Sequence, residues 1–316
     1  MKKRKLGNSG LEIAPLMFGG NVFGWTIDEA TSFKLLDAFV DAGFDAIDTA
    51  EGYSNWHPGN KGGESETIIG KWLKKSGKRD RVVITTKVGW WNTPEDNKGL
   101  TKDRILRSAE DSLKRLQTDY IDLYQTHKDD PGNPIEERLE AYVQLLAEGK
   151  IRAIGASNYT AARLSEALQK SREKHLPRYE SLQPLYNLYS RTEFEAELQP
   201  LCLREEIGVI TYSSLASGFL SGKYRTEADF SKSLRGYRVK KYLNDRGFRI
   251  LSAVEKVAKE NGTTLAAVAL AWLQTRPAVT APIASATSLA QLEELTSSIR
   301  LKLDSASLEL LNQASA

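Results

Sequence analysis

Residues 44–55 read FDAIDTAEGYSN, and they bring Asp45, Asp48, Glu51 and Tyr53 into one short stretch. The run FDAIDT has the look of a strand: Phe44, Ala46 and Ile47 are apolar, and Asp48 stands at its end. A loop carrying Tyr53 follows, and then a helical pattern over 63–76. A buried strand that ends in a carboxylate and is followed by a tyrosine-bearing loop and a helix is one βα unit with chemistry at its C-terminal end.

The same unit recurs along the chain. APLMFGG precedes a predicted helix at 28–42, RVVITTK one at 101–117, and YIDLYQTH one at 134–148. IRAIGAS precedes 160–173, and YESLQPLY precedes 193–206. GVITYSS leads through a long polar loop to helices at 246–260 and 263–275, and AVTAPIA precedes 288–298. Short apolar or β-branched runs that lack polar alternation are what a sheet covered on both faces by its crossover helices requires. Eight such units in 316 residues favour an α/β fold of the (β/α)8 TIM-barrel type, one domain over 1–316. A doubly wound open sheet is the alternative. The opening KKRKLGNSGLEI reads as an N-terminal β-hairpin turning at Gly-Asn-Ser-Gly.

Helix signals agree with this reading. Asp28 is placed to cap the first helix, and Gly149 to end the one before it. In LTKDRILRSAEDSLKRL, residues Ile105, Leu106, Ala109, Leu113 and Leu116 share a face. Thr101 with Arg104 does not make a capping box, so that helix start is open.

Composition narrows the function classes. Formal charge is +3, with 44 Lys and Arg spread along the chain against 41 Asp and Glu, so nucleic acid is not an expected partner. Cys202 is the single cysteine, which excludes an internal disulfide, and the three histidines have no HExxH spacing, so no metal is expected. The basic N-terminus lacks an apolar segment after it, and no run of 18 apolar residues occurs. The protein is read as cytoplasmic, with no membrane partner.

Parallel barrel strands point their C-terminal ends to one face. There the second barrel strand ends in Asp48, the third in Lys87 and the fourth in His127, with Tyr53 in the loop beside them. Singly, each has an ordinary reading: a turn cap, a solvated strand end, a rim histidine, a packed loop ring. Together they suit proton donation. A phenol titrates near ~10, and a neighbouring ammonium is expected to lower that value. Asp48 would hold the lysine, and His127 would donate a hydrogen bond to a carbonyl oxygen. A hydride source must come from a cofactor.

GFDAIDTAEGYS, GGESETIIGKWLKK, VVITTKVG, DSLKRLQTDYIDLYQTHKDD and GKIRAIGASNY together resemble the aldo-keto reductase superfamily over residues 3–300. The resemblance implies a (β/α)8 barrel, NAD(P)H-dependent reduction of aldehydes or ketones, and a catalytic tetrad at Asp48, Tyr53, Lys87 and His127. It implies a monomer, and a small carbonyl or sugar-like substrate. It also implies a cofactor track. Tyr212 would stack on the nicotinamide, Ser157, Asn158 and Gln183 would meet its carboxamide, and Ser213, Leu215, Ser217 and Lys223 would approach ribose and pyrophosphate. In APIASATSLAQLEEL, Ser285 and Gln291 fall where many relatives carry Lys or Arg for the 2′-phosphate, with Glu294 toward the adenine. NADPH is the first choice of cofactor and NADH the alternative, with Arg235, Arg238 or Lys240 as compensating charges. No GxGxxG follows a strand, and GFLSGKY at 218–224 is one residue short of a P-loop.

Trp25, Trp90 and Trp91 are expected to wall a substrate pocket. His57, beside Tyr53 in sequence, is given no catalytic role. Two rivals remain: a barrel hydrolase using Asp48 and Glu51 as a carboxylate pair, and a cofactor-holding regulatory subunit with little turnover.

Overall fold

The computed structural model describes residues 1–89 and 99–316; Trp90 and Trp91 lie outside the described residues. Two short strands, β1 (Arg4–Lys5) and β2 (Glu12–Ile13), pair antiparallel as the expected hairpin. Eight parallel strands then close into a barrel: β3 (Met17–Gly19), β4 (Ala46–Asp48), β5 (Val83–Val88), β6 (Ile121–Thr126), β7 (Ile151–Ser157), β8 (Ser181–Gln183), β9 (Gly208–Thr211) and β10 (Val279–Ala284). Neighbours follow chain order, and β10 pairs with β3 to complete the circle. The open-sheet alternative is thereby excluded.

The strands are short and buried because helices cover them outside and side chains fill them inside. The covering helices are α1 (Glu29–Asp41), α2 (Glu64–Ser76), α3 (Lys102–Leu116), α4 (Ile135–Ala147), α5 (Ala161–Lys174), α6 (Gln199–Arg204), α7 (Asp245–Glu260), α8 (Leu265–Gln274), α9 (Leu289–Ser297) and α10 (Ser305–Ser315). Asp28 accepts from the Thr31 amide at the start of α1, as its sequence position suggested. Thr101 does the same for Arg104, so a simple cap, without a box, starts α3. On α3 the buried stripe is Ile105, Ala109, Leu113 and Leu116, with Ser108 and Ser112 between them and Leu106 only partly covered.

Two expectations change. The helix foreseen over 193–206 is a π turn, Phe194–Leu198, running into the six-residue α6. Pro200 lacks the amide needed for a regular bond one turn back, and the Gln199 amide reaches Phe194 O instead. Helix α10 was not foreseen. Its last carbonyls accept from arginines distant in sequence: Arg246 at Ser315, Arg249 at Ala314, and Arg191 at Asn312. These cations lie where the helix dipole is negative.

Among the described residues no helix is long and apolar enough to cross a membrane.

Candidate active site

Strand register brings the functional side chains together. Asp48 lies opposite Thr85 on β5, Lys87 opposite Gln125 on β6, and Ser157 opposite Gln183 on β8. Lys87 is wholly buried, and its Nζ donates to both Asp48 oxygens at 2.8 and 2.7 Å and to the Thr49 carbonyl at 2.7 Å. The same ammonium donates to Tyr53 Oη at 3.1 Å. Tyr53 Oη in turn donates to Asp48 Oδ2 at 3.3 Å. Asp48 also accepts from Thr85 Oγ1 at 2.8 Å and from Gln183 Nε2 at 2.9 Å, so a buried carboxylate is held by four side chains. The ring of His127 stands 6.0 Å from that of Tyr53, edge to face.

Burial sets the protonation states. It holds the Tyr53 phenol well above its ordinary value, and the nearby Asp48 carboxylate pushes the same way. The expectation that Lys87 lowers it is thus corrected: removal from water and the carboxylate outweigh one ammonium, and Tyr53 is the protonated phenol at neutral pH. Burial also lowers Lys87, while the contacts with Asp48 oppose that shift. His127 falls well below its usual value through burial and repulsion from Lys87, so it is neutral imidazole near pH 7.

These groups open into a cavity of about 1000 Å³. Ser157, Asn158 and Gln183 line it at the ends of β7 and β8. The Asn158 amide donates to the His127 carbonyl and accepts from Tyr212 Oη at 2.7 Å, so Tyr212 stands beside the rim. Ser213, Leu215, Ser217 and Lys223 continue the lining, and Ser285, Gln291 and Glu294 complete it at the far end. There Ser285 Oγ donates to Asn21, and Gln291 Oε1 accepts from the amide and hydroxyl of Thr287.

The donor set fits a dinucleotide. Ser213, Ala216 and Ser217 adopt left-handed backbone at φ 54°, 49° and 59°, followed by Gly218 at 93°. A Cβ on Gly218 would stand 3.2 Å from Lys223 Cε, so the lysine packs against this bend. Arg235 lines the same cavity without a carboxylate partner among the described residues, and burial with the nearby Arg238 lowers its ordinary value. Unbalanced cations beside tightly turned backbone suit phosphate oxygens.

A profile of the Aldo/keto reductase family matches residues 15–316. The chain belongs to the aldo/keto reductase family. As a member of that family it is an oxidoreductase of the carbonyl-reducing class. It is 35% identical to the uncharacterized oxidoreductase YrpG of Bacillus subtilis, over 99% of this chain and 95% of that protein. It is also 35% identical to the aldo-keto reductase YhdN of Bacillus subtilis, over 94% and 88%. A probable voltage-gated potassium channel subunit beta of Arabidopsis thaliana is 34% identical, over 93% and 90%.

In this aldo/keto reductase Trp25 is not part of the cavity wall. Its indole donates to the Asn21 carbonyl, and its ring centre stands 5.5 Å from that of Trp56, which among the described tryptophans lines the cavity. The signal for Trp56 was its place three residues after Tyr53. The polar loop after β9 also contributes more than its composition suggested. It folds into 3-10 turns at Glu227–Lys232 and Gly236–Tyr242, and lays Lys232, Leu234, Arg235 and Arg238 over the cavity. Lys240 is instead paired with Glu227. Glu51 turns away from Asp48: it accepts from the Gly89 amide and pairs with Arg104 at 2.9 Å, an arrangement unsuited to a hydrolytic carboxylate pair.

Proposed function

We propose that the protein reduces an aldehyde or ketone to an alcohol with a nicotinamide dinucleotide, and that Tyr53 is the proton donor. The observation that carries this is the buried triple contact of Lys87 Nζ, on both oxygens of Asp48 and on Tyr53 Oη. A bound nicotinamide would supply the hydride, held along the track from Tyr212 and Gln183 to Lys223 and Ser285. NADPH is the first choice on family grounds and NADH the competitor, since Ser285 and Gln291 offer no cation to a 2′-phosphate.

The chain's own residues handle the oxygen. As charge develops on the carbonyl oxygen, neutral His127 donates a hydrogen bond to it and sets it against Tyr53. Tyr53 Oη then gives up its proton, and the phenolate left behind rests against Lys87. Asp48 keeps Lys87 in place and charged. Gln183 ties this arrangement to the cofactor track, because its amide nitrogen reaches Asp48.

The test is titration of the purified protein with NADPH and with NADH, following tryptophan fluorescence, and then a panel of carbonyls with the tighter nucleotide. Saturable quenching and nucleotide-dependent reduction are expected. Absence of binding by both nucleotides would refute the reading. The relative named as a potassium channel subunit supports a second reading, a cofactor-holding subunit; binding without turnover on any carbonyl would favour it.

A further inference from the structure

Four cations that line the cavity, Lys128, Lys223, Arg235 and Arg238, have no carboxylate within 4.0 Å among the described residues, whereas Lys232 pairs with Asp229. Lys223 packs against the bent segment 213–218, where the phosphates of a dinucleotide would be met, and Arg235 lines the same cavity. Lys128 and Arg238 line the cavity with the reacting groups, and Arg238 stands close to Arg235, three residues before it. Lys128 follows His127 directly in the chain. The Arg238 guanidinium stands 5.7 Å from the Trp56 ring centre, and Trp56 stands 6.0 Å from the ring of Tyr53. All of these side chains line one cavity.

Neither Lys128 nor Arg238 has a carboxylate within 4.0 Å among the described residues. Arg238 donates only to the Tyr237 hydroxyl beside it. Among the described residues that line the cavity, the acidic ones are Asp48 and Glu294. Asp48 is saturated by Lys87, Tyr53, Thr85 and Gln183, and Glu294 belongs to α9 at the far end. Two cations without a carboxylate partner among the described residues, one over an aromatic ring, attract and orient an anion.

Resting on the reductase reading, we propose that the substrate is a carbonyl compound carrying a terminal anionic group, carboxylate or phosphate. Its carbonyl oxygen sits against Tyr53 and His127, and its charged end is held by Arg238 and Lys128. Arg238 is the stronger anchor, because a guanidinium offers paired donors to either anion. Trp56 lies between anchor and proton donor, so a short carbon chain crosses its face. The charged end then fixes the register of the carbonyl, which is positioning gained from a part of the substrate remote from the reaction.

The experiment compares kcat/KM for matched pairs with the preferred nucleotide saturating: succinic semialdehyde against its neutral methyl ester, and glyceraldehyde 3-phosphate against glyceraldehyde. A preference of about 10- to 100-fold for an anionic member is expected, the scale of one or two charge-assisted hydrogen bonds. Which pair shows it distinguishes carboxylate from phosphate. In Arg238→Gln combined with Lys128→Gln the preference should collapse toward one, and Arg238→Lys should restore part of it. Equal kcat/KM within both pairs, with carbonyls still reduced, overturns this proposal and leaves the reductase reading intact. So does a preference that survives both substitutions, or a loss in the double variant explained entirely by weaker nucleotide binding. Reduction of no carbonyl with either nucleotide overturns both.

Discussion

The two ends of the barrel are built from the same strands and are chemically opposite. At the N-terminal end the hairpin closes the barrel: Leu6, Leu11 and Ile13 join Met17, Ala46, Leu123, Ala153 and Ile210 in one apolar cluster. Arg4 fastens the hairpin by donating to the Val279 carbonyl at the start of β10. Gly7 sits at φ +58° with a would-be Cβ 2.1 Å from the Glu180 carbonyl, so only glycine fits there. At the C-terminal end stand buried Asp48, Lys87 and His127 and partly buried Tyr53, with hydrogen bonds joining Asp48, Lys87 and Tyr53. One end is packing and the other is charge arranged for work. Substitutions should therefore separate into those read in stability and those read in turnover.

Lys87→Met breaks that separation most strongly. It leaves Asp48 charged and buried without its cation, at a cost of about 3–5 kcal/mol. Chemical denaturation should show that loss, and turnover should vanish with it. An unaltered unfolding midpoint would mean that the remaining donors to Asp48 suffice. Tyr53→Phe respects the separation. Turnover should fall by about 10²–10⁴-fold, the range for one general acid, with nucleotide affinity by tryptophan quenching and the unfolding midpoint little changed. Near-normal turnover would remove Tyr53 from its assigned role.

Ile13→Ala tests the opposite end. It empties a fully buried site and should cost about 2–5 kcal/mol, with kcat/KM per folded molecule preserved. A selective loss of turnover would show that the two ends are coupled. The smallest effect at neutral pH belongs to His127. Its folded value is depressed, so the unfolded chain binds the proton more readily. Its contribution to stability is complete above the unfolded value of ~6.5 and is lost as pH falls below it. His127→Gln should flatten that acid limb in denaturation curves measured across pH 7 to 5; an unchanged limb would assign it to other groups.

Much of the site was legible because the βα period assigns every strand end to one face. Asp48, Lys87 and His127 are strand-end residues, so counting strands was enough to gather them. The track proposed for the cofactor came from resemblance, which named Ser157, Asn158, Gln183 and Tyr212 at the ends of β7, β8 and β9, and Ser285 and Glu294 beyond β10; all of them line the one cavity. Less regular segments were read poorly. Trp25 was named as a wall and Trp56 was not, because both lie in loops where periodicity says nothing about direction. The long loop after β9 read only as polar, and its two 3-10 turns bring Arg235 and Arg238 to the cavity through contacts remote in sequence.

The sequence by itself determined the barrel, through eight buried strand runs each followed by an amphipathic helix, and it determined which ionisable side chains share a rim. These follow from local periodicity and from the parallel direction of the strands. Only the tertiary structure decided the direction in which the Tyr53 phenol is shifted, because burial and the Asp48 carboxylate act through space and both push it up. It also decided the placing of Glu51 on Arg104, the capping of α10 by Arg191, Arg246 and Arg249, and the gathering of Lys128, Lys223, Arg235 and Arg238 around one cavity. Each of these depends on distances between residues far apart in the chain, which no local pattern encodes.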